Sequence, residues 1–192
     1  HCFGACGEGG DIFTFVQKRE GVDFGEALRI LARRAGVRLQ PLSEAATQKA
    51  KNRDRLLAVL DAATVFFNKQ LASPAGETAR TYLIKRGVGQ EISSEFRLGY
   101  APKAWQALST PLTAEGYTGE ELVEAGLIVE SEDGRLYDRF RHRLMFPICD
   151  ARGRVVGFGA RSLDGSDPKY LNSPQTRLFD KGSLLYGLDK AR

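Results

Sequence analysis

Apolar residues recur at helical spacing through the first two thirds of the chain and give way to short strand-like runs in the last third. After a glycine-rich opening, Ile12, Phe13, Phe15 and Val16 predict a short helix over 11–20. Asp23 and Glu26 form a capping pair ahead of Ala27, Leu28, Leu31, Ala32 and Ala35, with Gly36 as the stop, and predict a second amphipathic helix. From Gln40 to Asn52 the periodicity lapses into Pro, Ser, Ala, Thr, Gln and Lys, the composition of an exposed linker. Leu56, Leu57, Val59, Leu60, Ala63, Phe66 and Phe67 then predict a helix reaching Leu71, and Ser73 and Pro74 the cap and first residue of another that ends at Gly87. Ile92 to Phe96 and Trp105 to Leu108 read as short helices, with Leu98 to Tyr100 extended between them. Thr118 and Glu121 repeat the capping pair before Leu122, Val123 and a stop at Gly126.

Beyond Gly126 the period changes. Leu127–Val129, Arg135–Tyr137, Leu144–Ile148 and Val155–Phe158 read as strands, with turns at Asp133-Gly134 and Arg152-Gly153. The expected fold class is α+β, N-terminal helices followed by a small antiparallel sheet. With 192 residues, 42% of them hydrophobic, the chain can bury one ordinary core and a smaller satellite. The division expected is residues 1–39, a linker at 40–52, and a main domain over 53–192. No fixed-period repeat is present.

Charge and chemistry refine this outline. The net charge is +4, and twelve Lys and Arg against eight Asp and Glu in residues 131–192 account for all of it. Such a bias suits a phosphate-bearing partner, and equally a solvated surface. No run approaches the roughly 18 consecutive apolar residues of a membrane span, and the start lacks a secretory pattern, so a cytoplasmic protein is expected. Three cysteines do not make a disulfide framework. Cys2 and Cys6, on a glycine turn, suit two ligands of a tetrahedral metal ion, or two ordinary cysteines beside a loop. A chain that opens on His1, with no second cysteine pair, is read as a piece of a longer protein.

In the last third, Arg139, Arg141 and Arg143 alternate, which in an extended segment places all three on one face with His142 turned away. That row either tracks a phosphodiester backbone or protects a solvated edge strand. Arg161 closes the segment Gly157-Phe158-Gly159-Ala160, whose glycines permit close approach of a ligand. Lys169 and Asn172 flank Tyr170, and Lys181 sits beside Gly182. Cations interleaved with an aromatic suit a single strand, whose phosphates and bases are both engaged; a core or turn role for Tyr170 stands beside that reading. Cys149 reads as a buried strand thiol and Trp105 as a core anchor. Asp138 and Asp150 are isolated, and no carboxylate cluster of the kind that holds catalytic divalent metals is present.

The segment HCFGACGEGGD resembles the knuckle that closes the Cys-His-Cys-Cys zinc ribbon of bacterial DnaG-type DNA primases, and YDRFRHRLMFPI, GRVVGFGAR, PKYLNSP and LFDKGSLLYGL are similar, in order, to the stretch of the primase polymerase domain that precedes its TOPRIM fold. The resemblance covers essentially the whole chain. It implies that Cys2 and Cys6 are the last two zinc ligands and His1 is not one, although Ala5 gives Cys-x3-Cys where the family has Cys-x2-Cys. It implies that Arg161, Lys169 and Lys181, with Arg86, Arg141, Arg143 and Asn172, belong to a surface that binds template and nucleotide, and that the catalytic carboxylates and their Mg²⁺ lie in a TOPRIM segment beyond Arg192. The parent would synthesise short RNA primers on single-stranded DNA from ribonucleoside triphosphates, and meet the replicative helicase through a C-terminal domain. Two other readings remain: a non-catalytic single-strand-binding module, and part of a plasmid or phage primase-helicase. A small-molecule enzyme with an arginine phosphate clamp is a third.

Overall fold

The computed structural model describes residues 9–38 and 44–191. Cys2 and Cys6, and with them the expected metal ligands, lie outside the described residues. The chain divides into two compact units, His1–Thr47 and Gln48–Arg192.

The first unit holds α1 (Ile12–Glu20) and α2 (Phe24–Arg34). Each begins at an aspartate whose carboxylate accepts an otherwise unpaired N–H: Asp11 from Thr14 N and Asp23 from Glu26 N, both at 2.8 Å. Gly21, at φ 66°, ends α1 in the left-handed conformation that a side chain disfavours. The two helices pack through Val16, Ala27 and Ala32, with the Phe13 and Phe24 rings 5.3 Å apart.

The second unit is built on α3 (Glu44–Ala72). Residues 44–52, read from composition as linker, are exposed but helical, because straight-chain Gln, Lys, Arg and Ala favour a helix even without an apolar stripe. Leu56, Val59, Leu60, Ala63 and Phe67 recur at three- and four-residue spacing and are all but fully buried, so one stripe of α3 is core. After Pro74–Gly76, a 3-10 turn, come α4 (Glu77–Lys85) and α5 (Gln90–Glu95). Ser73 precedes this stretch without a side-chain cap; its hydroxyl donates instead to Gln70 O. Two short helices follow, α6 (Ser109–Ala114) and α7 (Gly119–Glu124). The expected helix at 105–108 is a set of turns leading into α6. Thr118 and Glu121 form the reciprocal capping box at the start of α7.

The main sheet has the order β1 (Gly99–Ala101), β4 (Arg143–Cys149), β5 (Val155–Ser162), β6 (Tyr170–Asn172), all antiparallel neighbours. A separate two-stranded sheet pairs β2 (Ile128–Glu130) with β3 (Leu136–Asp138). One face of the main sheet presents Ala101, Met145, Phe158 and Ala160 to the α3 stripe, and the Phe67 and Phe158 rings meet edge to face at 5.4 Å. Burying side chains of this size stabilises the unit by about 1.5–3 kcal/mol each. The close approach depends on Gly99, where an added Cβ would lie 2.5 Å from Phe67 Cβ. The opposite face is covered at one end only: Tyr100 and Leu144 pack with Leu71, Leu83 and Leu98. At the other end it is open, and the functional residues gather there. No helix among the described residues is long and apolar enough to cross a membrane.

Candidate nucleic-acid interface

The open end of the sheet is formed by the β5–β6 hairpin. Its register pairs Arg161 with Tyr170 and Gly159 with Asn172, so all four project on the side away from the α3 stripe. The hairpin loop is held by Asp164, whose carboxylate accepts from the Ser162 hydroxyl at 3.0 Å and from Ser166 N at 3.1 Å; with a further bond from the Ser166 side chain, these donors hold it well below the usual carboxylate range. Gly159 leaves the floor of the sheet as bare backbone: a Cβ there would find Asn172 Oδ1 at 3.4 Å and otherwise open space. Around this floor lies a groove of about 400 Å³, walled by Phe146, Tyr170, Asn172, Lys181 and Tyr186. Phe179 closes one end by lying over Gly157, where an added Cβ would come within 2.8 Å of its ring.

Three cations converge beside the groove. The Arg161 guanidinium lies 4.3 Å from the centre of the Tyr82 ring and 5.8 Å from that of Tyr170, and its Nε donates to the Tyr170 hydroxyl at 3.4 Å. Lys169 Nζ stands 5.8 Å from the Tyr170 ring, and Arg86, at the end of α4, stands 5.5 Å from the Tyr82 ring. The Arg161 hydrogen bond, with the charges of Arg161, Lys169 and Arg86, holds the Tyr170 hydroxyl below its ordinary value, so the three positive fields overlap at one point. Tyr170 is 64% exposed. Among the described residues, Arg86, Arg161, Lys169 and Lys181 have no carboxylate within ion-pair distance. Uncompensated cations over aromatic faces leave N–H donors turned toward solvent, where an anionic backbone with unpaired bases can meet both.

The expected row of Arg139, Arg141 and Arg143 does not form. Residues 139–142 are not in a strand: β3 and β4 belong to different sheets, and the chain turns between them at His142, at φ 50°. His142 Nδ1 lies 2.8 Å from the Tyr100 hydroxyl. Arg143 is buried and donates to Pro168 O at 2.8 Å, and Arg139 donates to Asn172 O at 3.2 and 3.3 Å. Burial lowers the pKa of both guanidiniums from its usual value. Their contacts brace the hairpin from behind. Arg141 points elsewhere, over Trp105 at 4.1 Å and Tyr137 at 5.1 Å. Trp105, expected in the core, is 62% exposed.

Tyr82 had gone unnoticed, although its four-residue spacing from Arg86 on one helix would have placed the two side by side. Cys149 ends β4 half-buried, and burial pushes its thiol up. Among the described residues no group of His, Cys, Asp and Glu is arranged to hold a metal ion.

Known proteins with this pattern agree with one another. Residues 66–192 match the family "DNA primase catalytic core, N-terminal domain", and residues 1–48 match "CHC2 zinc finger". A DNA primase of Deinococcus radiodurans is 49% identical over 193 residues, covering all of this chain and 32% of the relative, and one of Halalkalibacterium halodurans is 42% identical over 194 residues with the same coverage. The chain thus spans about a third of the length of these relatives. A DnaG primase catalytic domain bound to single-stranded DNA superposes with a TM-score of 0.68 at 45% identity, covering 74% of this chain and 46% of that one. The zinc-binding and RNA polymerase domains of the Aquifex aeolicus primase superpose with a TM-score of 0.66 at 35% identity, covering 98% and 44%. In sequence along its whole length and in the fold of its core, the chain belongs to the DnaG family of DNA primases.

Proposed function

We propose that this chain is the template-holding part of a primase that makes short RNA primers on single-stranded DNA. The observation that carries the reading is the convergence of Arg86, Arg161 and Lys169 on Tyr82 and Tyr170, beside a groove bordered by Asn172 and Lys181. The unpaired cations engage successive phosphates, Tyr170 offers a face to a base, and the bare backbone at Gly159 lets the strand approach the sheet. Arg139 and Arg143 act one step back, holding the hairpin that presents these groups. Asn172 contributes a side-chain amide to the groove and its backbone carbonyl to Arg139.

The rest of the parent's chemistry lies elsewhere in this reading. Ribonucleoside triphosphates and the growing RNA primer are joined with Mg²⁺ held by carboxylates of the TOPRIM segment, and the replicative helicase is met through a C-terminal domain. Cys2 and Cys6 supply two thiolates to a structural Zn²⁺, which takes four ligands and so needs two beyond this pair. The working division is residues 1–39 as zinc-ribbon part, 40–52 as connection and 53–192 as template-binding subdomain.

Fluorescence anisotropy of a labelled single-stranded oligodeoxynucleotide tests the reading. The chain should bind it at low salt, and the Arg161→Ala/Lys169→Ala double variant should bind roughly tenfold more weakly or worse, because charge-assisted contacts contribute on the order of 1.5–3 kcal/mol each when desolvated and less at an open surface. Equal binding by the two proteins, or none by either, would sink it.

A further inference from the structure

Trp105 is the one tryptophan of the chain and is 62% exposed. A large aromatic left in water costs the apolar burial it could have had, so a fixed exposed indole asks for a partner. This one is fixed. Its ring meets Tyr137 edge to face at 5.4 Å, and the Arg141 guanidinium lies 4.1 Å from its centre. Its carbonyl accepts from Asp138 N at 2.7 Å, and the Asp138 carboxylate accepts from Leu108 N at 2.7 Å and Ser109 N at 3.1 Å. The segment from Trp105 to Ser109 is therefore clamped onto β3 at several points, and Arg141 is steadied by donating to Asp138 O.

The chemistry of the patch selects its ligand. An apolar protein surface would find a guanidinium here with no carboxylate partner among the described residues, and the exposed Lys103 two positions before Trp105. An indole, a phenol and a guanidinium gathered without a carboxylate partner suit a nucleobase carrying a phosphate: the flat rings take the base and the cation takes the charge. The place fits as well. Residues 139–143 carry Arg141 to this patch while Arg139 and Arg143 bind the backbone of Asn172 and Pro168 on the β6 hairpin, so one short loop braces both features.

We propose that Trp105, Tyr137 and Arg141 form a second stacking platform, which holds an unpaired base of the same single-stranded DNA at a point away from Tyr170. The proposal rests on the reading that the basic face binds a strand, and the two can fail separately. Because Trp105 is the one tryptophan, its fluorescence reports this patch alone.

An oligothymidylate titrated into the chain should quench Trp105, and an abasic strand of equal length, with the same phosphates and no bases, should not. In anisotropy with labelled oligothymidylate, Trp105→Ala should raise Kd about fivefold or more, the lower end of what a stacked base contributes, and Trp105→Phe should restore most of the affinity. Anisotropy that reports binding with unchanged Trp105 fluorescence would overturn the platform and leave the basic face standing. Equal quenching by the abasic strand would also overturn it, because only charge would then be sensed. Absence of binding in either signal would remove both readings.

Discussion

Asp138 shows how much a single residue can carry without touching a ligand. It is 1% exposed, its carboxylate takes two backbone N–H groups at the entry to α6, and its own N–H reaches Trp105 O. Burial pushes its carboxyl above the usual carboxylate range, against the pull of those donors. Asp138→Ala leaves both donors without an acceptor and should destabilise the chain by about 2–4 kcal/mol in urea unfolding. The pH dependence has a definite sign. A carboxyl raised in the folded state favours its neutral form there, so its contribution is complete below the ordinary value of 3.8 and is lost as pH rises through the folded value. The stability of wild type relative to Asp138→Asn should therefore fall as pH rises from 4 toward neutrality, and a difference that stays flat or grows would contradict this account. In the sequence Asp138 is only an isolated carboxylate. Its partners lie about thirty positions earlier, and no local pattern announces a bond of that span.

Among the elements, the hairpin of β5 and β6 does most to shape the site, and two of its glycines play opposite parts. An added methyl at Gly157 would lie 2.8 Å from the Phe179 ring, whereas at Gly159 the nearest atom is the Asn172 amide oxygen at 3.4 Å. Gly157→Ala should push Phe179 off the sheet, destabilise the chain by about 1–3 kcal/mol and weaken strand binding. Gly159→Ala should keep its melting temperature but narrow the groove and weaken binding alone. Equal melting temperatures for the two variants would show that Phe179 does not seat as described. Elements with strong local signals were legible: the capping pairs at Asp23 and Thr118, the apolar stripe of α3 and the long strands β4 and β5. Other features were set by contacts distant in sequence. Alternation of Arg139, Arg141 and Arg143 is a true property of the sequence, yet periodicity does not tell which sheet a strand joins, and the crossing at His142 scatters the three. The three-residue β6 is too short for an alternating pattern to show, and Trp105 is exposed because its neighbours Tyr137 and Arg141 arrive from a different sheet and loop. Of the candidate site residues, Arg86, Arg161 and Lys169 do meet, through Tyr82, which the chain's last third could not reveal.

Across the molecule, the distribution of charge predicts how binding responds to salt. The charge excess lies in residues 131–192, and the cations without carboxylate partners near the groove are Arg161, Lys169 and Lys181, joined by Arg86 from α4. A single strand releases about 0.7 counterion per phosphate neutralised, so four such contacts give a slope of log K against log salt of about −2.8. Affinity should then weaken roughly fifty-fold between 50 and 200 mM salt on that slope. Losing Arg161 and Lys169 should reduce the slope to about −1.4, a change that a misfolded variant, with no measurable slope, would not reproduce. All four cations belong to the unit Gln48–Arg192, so a chain lacking residues 1–47 should keep the full slope. If the slope fell by half on removing residues 1–47, phosphate contacts would have to lie in the first unit, among the basic residues of α2 such as Arg29, Arg33 and Arg34. If the slope stayed while affinity dropped, the first unit would contribute contacts to bases or sugars instead, since only phosphate contacts release counterions.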